Sequence, residues 1–236
     1  MIDSLPIYQN KNNLQREAYN FVMQYVKKEE LNKVTDIFAG TASLSIPFFR
    51  HANEILLNDK YKFLYYYLSF YTKLFKGDLG VELKYAFETI KNIELYKGNI
   101  YEWYSHSEKT CFFGKNDAIK IDSIHKYLYE SKDIYNQEIY DFLYGNFIYC
   151  VYQASNIKNG YFYTKSKKTV ANDNVFNFKL LKTNNYFTNK NIKVFNYDSK
   201  DFIKLFSGDL LIIDPPIKRK YLNLYYPLEY LAQNPF

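Results

Sequence analysis

Three acids and one turn of small residues carry the chemistry that this sequence could perform. Leu210-Leu211-Ile212-Ile213 is a continuous apolar run that stops at Asp214-Pro215-Pro216-Ile217. Four aliphatic residues in a row read as a buried strand, and two prolines end it by removing backbone donors and fixing φ. A carboxylate is thereby held at the carboxyl end of a strand, the edge of an open α/β sheet at which ligands bind. Asp59 closes a second apolar run, Ile55-Leu56-Leu57, and Asp198 closes a third, Ile192 to Asn196. Ahead of all three, a short strand from Lys33 to Phe38 runs into Ala39-Gly40-Thr41-Ala42-Ser43 and then a helix-like stretch through Arg50. Small residues let backbone approach a ligand, and a following helix N-terminus would offer N–H groups. Asp59 lies 19 residues after Gly40, the offset at which a dinucleotide-type fold places an acid on a ribose hydroxyl.

The elements that would position these groups follow from the pattern on either side. From Leu14 the positions Leu14, Ala18, Phe21, Val22 and Tyr25 share one helical face, with Asn12 or Asn13 as a cap. Lys62 to Lys76 reads as an aromatic helix whose stripe is core, and Gly77 to Gly80 as a turn. Between Val81 and about Phe187 periodicity is poor, apart from a helix over Asp133 to Tyr152 carried by Ile134, Ile139, Phe142, Leu143, Phe147 and Val151. Asn159-Gly160 is a turn signal, and the segment after it interleaves Lys165, Lys167 and Lys168 with aromatic and hydroxyl side chains, suited to phosphates and bases or to an ordinary basic loop. Asp201 to Phe206 reads as a short helix, and Ser207-Gly208-Asp209 turns the chain into the last strand.

Composition sets the outer limits. In 236 residues there are 31 Lys and Arg against 25 Asp and Glu, a net charge of +6 that permits contact with a polyanion without requiring it. The 27 Tyr and 20 Phe accompany abundant Lys and Asn, as an AT-rich genome would encode, so aromatic richness is not by itself a stacking surface. Cys111 and Cys150 share no ligand spacing with each other or with His51, His106 and His125, so neither a disulfide framework nor a metal site is expected. No apolar run approaches the roughly 20 residues that span a bilayer, and the N-terminus lacks the pattern of a secretion signal. The expected location is cytoplasmic, with no membrane partner.

The order of these motifs resembles the Dam-type adenine-N6-specific DNA methyltransferases. Asp36-Ile37-Phe38-Ala39-Gly40-Thr41-Ala42-Ser43 is similar to that family's S-adenosylmethionine motif, Leu57-Asn58-Asp59 to its ribose-binding acid, Asp198 to its adenine-contacting acid, and Asp214-Pro215-Pro216-Ile217 to its Asp-Pro-Pro-Tyr catalytic segment. Asn10-Lys11-Asn12-Asn13-Leu14 stands in for a Gly-Gly-Lys segment, with Lys11 in the lysine's place, and Asn159-Gly160 falls where the recognition insertion carries its hairpin. The resemblance implies a Rossmann-like α/β sheet with helices on both faces. Residues 1–80 would form its cofactor half, 81–187 an inserted target-recognition region, and 188–236 the catalytic strand segment.

It implies S-adenosylmethionine as cofactor, double-stranded DNA as partner, and methylation of adenine N6 at a short recognition sequence, in a restriction-modification or phage setting. Lys11, Phe38, Ala39, Gly40, Thr41, Asp59, Asp198 and Asp214 would bind the cofactor. Asp214, Pro215, Pro216 and Ile217 would form the catalytic segment, and Asn159, Gly160, Lys165, Lys167 and Lys168 would meet DNA. The sequence departs from the family at Ile217, where a tyrosine would stack on the extruded base, and at Ala42, which adds a methyl within the glycine run. It departs also in having only 22 residues after Asp214, too few for the family's remaining strands. The sheet is therefore expected to be incomplete at its C-terminal side, completed by a second polypeptide or belonging to a fragment. The other readings open at this level are an RNA base-amine methyltransferase and a noncatalytic or truncated DNA-binding homologue.

Overall fold

The structure, a computed structural model, describes residues 12–73, 80–105, 112–155, 157–158, 161–162, 175–180, 191–206, 208–216 and 225–234. In chain order these form α1 (Asn12–Val22), β1 (Lys33–Asp36), β2 (Glu54–Asn58), α2 (Lys62–Lys73), α3 (Gly80–Lys91), α4 (Lys115–Glu130), α5 (Gln137–Ala154), β3 (Ile157–Lys158), β4 (Tyr161–Phe162), β5 (Asn191–Phe195), α6 (Ser199–Phe202), β6 (Leu210–Ile212) and α7 (Tyr226–Gln233). The chain divides into two compact units, one of Met1–Gly77 with Thr183–Arg219, the other of Asp78–Lys182 with Lys220–Phe236.

The first unit is an α/β body around a four-stranded, all-parallel sheet in the order β5-β2-β1-β6. Counted within the sheet this is 3-2-1-4, the opening of the Rossmann-like order. The two central strands are closed off on both faces, with Val34, Ile55 and Leu57 buried on one and Thr35 and Leu56 on the other, as parallel strands between helices must be. On one face Ile37, Leu56 and Phe202 form a core against which Phe38, Phe195 and Leu211 pack. At the amino edge, Glu54 bridges Lys33 at 3.1 Å and Lys193 at 2.9 Å and so links β2 to both β1 and β5. The two lysines hold the Glu54 carboxyl below its ordinary range.

The start of β6 is fixed by Asp209, whose Oδ2 accepts the Asn32 and Lys33 N–H groups at 2.9 and 2.8 Å. Gly208 lies close to β1 there: a Cβ would sit 3.1 Å from the Lys33 carbonyl oxygen, a tight contact.

Several expectations are corrected. The apolar run Leu210 to Ile213 is not a buried strand: among the described residues β6 pairs with β1 alone, its residues are half-buried, and Ile213 is 56% exposed. Among the described residues no strand pairs with its outer side. The packed stripe of α1 is turned from the expected one. Phe21 and Tyr25 are exposed and pack on each other, whereas Ala18, Tyr19, Val22, Met23 and Val26 are the less exposed positions. Tyr19 decides this, because its ring packs on Phe48 and its hydroxyl bonds His51 Nε2 at 2.8 Å. The stretch from Ser43 to Arg50 is a series of turns with a 3₁₀ turn at Ile46–Phe48 in place of an α-helix. Pro47, lacking an N–H, stands at the start of that short turn.

The second unit is built from α3, α4, α5 and α7. Leu83, Phe87, Ile121, Leu128, Phe142, Leu143, Phe147, Val151, Leu228 and Leu231 form its interior. α5 begins at Gln137, where the Asn136 side chain accepts the Ile139 N–H at 3.0 Å; Ile134, expected on its packed face, lies outside it and is exposed. His125 is buried with Nε2 3.0 Å from the Leu231 carbonyl oxygen, which also accepts the Tyr144 hydroxyl at 2.8 Å. Burial pushes its imidazole down to about 4. Asp122 accepts the N–H groups of Gly98, Ile100 and Tyr101, and burial nevertheless raises its carboxyl to about 6. β3 and β4 pair antiparallel, Ile157 with Phe162 and Lys158 with Tyr161.

No helix among the described residues is long and apolar enough to cross a membrane. Leu57 has no exposed surface in the middle of the sheet, so Leu57→Ala is expected to cost about 2–5 kcal/mol, read as a lower urea midpoint with an unchanged denaturant slope.

Candidate functional site

The site is the carboxyl edge of the sheet. β2 and β5 lie on one side of β1 and β6 on the other, so strand order reverses between β1 and β6, and a crevice opens at such a switch point. Asp36, the last residue of β1, ends there. Ile37 N–H still bonds the Ile212 carbonyl oxygen at 3.2 Å, after which β1 and β6 part, and Asp214 follows two residues beyond β6.

Asp36 is 2% exposed and its Oδ1 has no hydrogen-bond partner. Its carboxyl is raised to about 7, first by burial, then by the neighbouring charges of Asp59 and Asp214; the Ser45 hydroxyl and the Phe38 amide act in the opposite direction. The carboxyls at the ends of β2 and beyond β6 therefore act on the one that ends β1, and Asp36, being buried, keeps its proton to near neutrality. Sequence reading treated Asp36 only as the start of a motif. In the sequence Asp36 falls inside a run read as continuing to Phe38; the structure ends β1 at Asp36 itself.

The turn itself is built around two left-handed residues, Gly40 at φ 55° and Ala42 at φ 59°. Glycine takes this conformation freely, whereas in an alanine it costs about 1 kcal/mol or more. Ala42 is held in it by its carbonyl oxygen, which accepts the Ser45 N–H, the Ile46 N–H and the Ser45 hydroxyl at 3.1, 2.9 and 3.2 Å. Ala42 is fully buried, so the methyl that interrupts the glycine run lies inside the protein and not on the open edge. Phe38 and Gly40 are half-buried, while Ala39 and Thr41 are buried.

The structure brings Gly40 and Asp59 together: the Gly40 N–H donates to Asp59 Oδ2 at 3.0 Å, and the Tyr61 N–H to Oδ1 at 2.9 Å. Asp198 is exposed beyond β5 and caps α6, its Oδ1 accepting the Lys200 N–H at 3.0 Å. Asp214 is half-buried, and Pro215 and Pro216 are exposed.

Two asparagines that sequence reading passed over tie the edge. Asn58 Nδ2 donates to the Ile37 and Tyr197 carbonyl oxygens, both at 3.1 Å, and its Oδ1 accepts the Tyr197 N–H at 2.9 Å. Asn196 Nδ2 donates to the carbonyl oxygens of Asp59 and Lys60 at 2.8 and 2.9 Å. Lys11, Asn159, Gly160, Lys165, Lys167, Lys168 and Ile217 lie outside the described residues. Among the described residues no group of three or more His, Cys, Asp or Glu side chains is arranged to hold a metal ion, and Cys150 is a buried free thiol.

Compared with protein-family models, with characterised proteins and with solved structures, the chain gives no match.

The state of Asp36 has a measurable consequence. Its carboxyl holds a proton to about pH 7 in the fold but releases it near its ordinary 3.8 when unfolded. The native state thus binds more protons between these values, and the contribution of Asp36 to stability declines as pH rises through that window. Asp36→Asn, neutral and of the same shape, is expected to be more stable than the parent at pH 8. The difference should shrink towards pH 4, read from urea midpoints of both proteins across the range.

Proposed function

We propose that the protein is an S-adenosylmethionine-dependent methyltransferase that acts on the N6 amino group of adenine in duplex DNA. The observation that carries this reading is the bond from Gly40 N–H to Asp59 Oδ2 beside the β1–β6 switch point. It supports a nucleoside-binding edge in which the small-residue turn and a strand-terminal acid act together, with Asp214 across the crevice.

The residues present suit a cofactor of this kind. A buried carboxyl with an unpartnered oxygen, Asp36, stands among three acids, a setting that favours a group of positive charge. When bound, S-adenosylmethionine would supply an electrophilic methyl on a sulfonium. Asp59 would hold ribose hydroxyls, Asp198 would face the adenine ring, and Phe38 to Thr41 would line the approach, with Lys11 contributing from the N-terminal segment.

An adenine amine is a weak nucleophile because its lone pair is delocalised into the ring. The Asp214 carboxylate and the Pro215 carbonyl would accept its two N–H bonds, favour a pyramidal nitrogen and direct the lone pair at the methyl. The two prolines fix the backbone that carries both acceptors. Catalysis then rests on positioning and electrostatics, with no covalent enzyme intermediate. The base must leave the duplex stack to reach these groups, and Ile217 gives it apolar contact in place of an aromatic face. Asn159, Gly160, Lys165, Lys167 and Lys168 would meet the DNA backbone and bases, with β3 and β4 paired on either side of Asn159 and Gly160. β6 pairs with β1 alone among the described residues, which suits a second polypeptide that adds strands on that side.

The test is incorporation of labelled methyl from S-adenosylmethionine into adenine-containing duplex DNA, with ribosomal RNA as the competing acceptor. Label should appear in DNA as N6-methyladenine. Asp214→Ala should lower kcat by about 10²–10³-fold, with a smaller change in the cofactor KM. Asp59→Ala should weaken cofactor binding about 10–100-fold. No transfer to any adenine-containing duplex by the full-length chain would overturn the activity, and transfer to RNA alone would reassign the substrate.

A further inference from the structure

The carboxyl edge of a parallel sheet has a recurrent difficulty. The strand ladder stops, and the peptide groups of the loops beyond it need other partners or remain mobile. Here two carboxamides supply the partners, and they do so between loops and not within them. Asn58 is fully buried; its two N–H bonds go to Ile37, just beyond β1, and to Tyr197, just beyond β5, and its oxygen returns to the Tyr197 N–H. Asn196, beyond β5, gives both of its N–H bonds to the backbone of Asp59 and Lys60, beyond β2.

Asp59 is consequently fixed through every polar group it has. Its N–H donates to the Phe195 carbonyl oxygen at 3.2 Å, its carbonyl oxygen accepts from Asn196 at 2.8 Å, and its two carboxylate oxygens accept from Gly40 and Tyr61 at 3.0 and 2.9 Å. The loops after three neighbouring strands are thereby joined before any ligand arrives. A site already ordered in this way does not lose loop entropy on binding, and the saving is realised as affinity.

We infer that Asn58 and Asn196 are positioning residues for the nucleoside half of the cofactor, acting through Asp59, Gly40 and the Tyr197-Asp198 loop without contacting the ligand themselves. This rests on the reading of the site as an S-adenosylmethionine edge. Removing either cross-tie loosens the joint between the β2 and β5 loops on which Asp59 and the Gly40 turn rest, so binding of the nucleoside weakens while recognition of DNA by other residues is unaffected.

Asn196 is exposed, so Asn196→Ala can be made without emptying the core. Asn58→Asp keeps the shape but sets an acceptor against the Ile37 and Tyr197 carbonyl oxygens. The experiment is calorimetric titration of the full-length chain and both variants with S-adenosylmethionine, alongside thermal melting and binding of a labelled duplex. Asn196→Ala should raise the cofactor Kd by about 5- to 30-fold with duplex affinity unchanged, and Asn196→Gln, which keeps a carboxamide, should recover part of the loss. Should Asn58→Asp fail to fold, the Asn196 pair decides alone. Asn196→Ala with a lowered melting temperature and the parent's cofactor Kd would overturn the inference and leave the site reading intact. A parent chain that binds no S-adenosylmethionine would remove both.

Discussion

β1 is hydrogen-bonded on both sides, and the rest of the first unit depends on that double pairing. One neighbour, β2, follows it closely in the chain, while the other, β6, comes from residues 210–212. Because all strands run parallel, the carboxyl ends of β1, β2, β5 and β6 reach the same edge, and because β6 joins on the opposite side from β2, strand order reverses at β1. Acids distant in sequence therefore act on one another. The charge of Asp214 is felt at Asp36 only because β6 is registered against β1, with Asp36 opposite Ile212.

That arrangement has an electrostatic cost. A buried carboxyl beside two others is disfavoured as an anion, and Asp36 responds by retaining its proton instead of finding a cationic partner among the described residues. In our reading, the site is built to receive positive charge. Local strain lies in the turn that follows: six residues after Asp36, the left-handed Ala42 is retained because three bonds to its carbonyl oxygen hold the turn in shape. The folded edge thus stores an unsatisfied oxygen and an unfavourable φ within a few residues, against a rigid background of side-chain amide ties.

The second unit shows why its helices were not legible. Poor periodicity between Val81 and Phe187 concealed α3 and α4 and blurred α5. In α4 the buried face carries Asp117, Asp122, Ser123 and His125 among its apolar residues. These polar groups are compatible with burial only through partners far away in sequence, such as the Gly98, Ile100 and Tyr101 amides for Asp122 and the Leu231 carbonyl oxygen for His125. α5 is buried on nearly every side, so hydrophobicity marks no single face. A pattern-based reading needs a polar outside and an apolar inside, and neither helix offers that contrast.

By itself the sequence determined the local features: strands at Lys33, Ile55, Ile192 and Leu210, the turn at Gly40, and the acids Asp59, Asp198 and Asp214 that close the last three runs. Apolar runs, glycine and proline act on the few residues around them, so these were readable. Only the tertiary structure decided that Leu210 to Ile212 is, among the described residues, an edge strand, because burial depends on which neighbour arrives. It alone turned the packed face of α1 towards Tyr19, whose partner His51 is 32 residues away. It also gave Asp36, Asn58 and Asn196 their roles, since a side chain's protonation and its cross-loop bonds arise from groups that folding alone brings within reach.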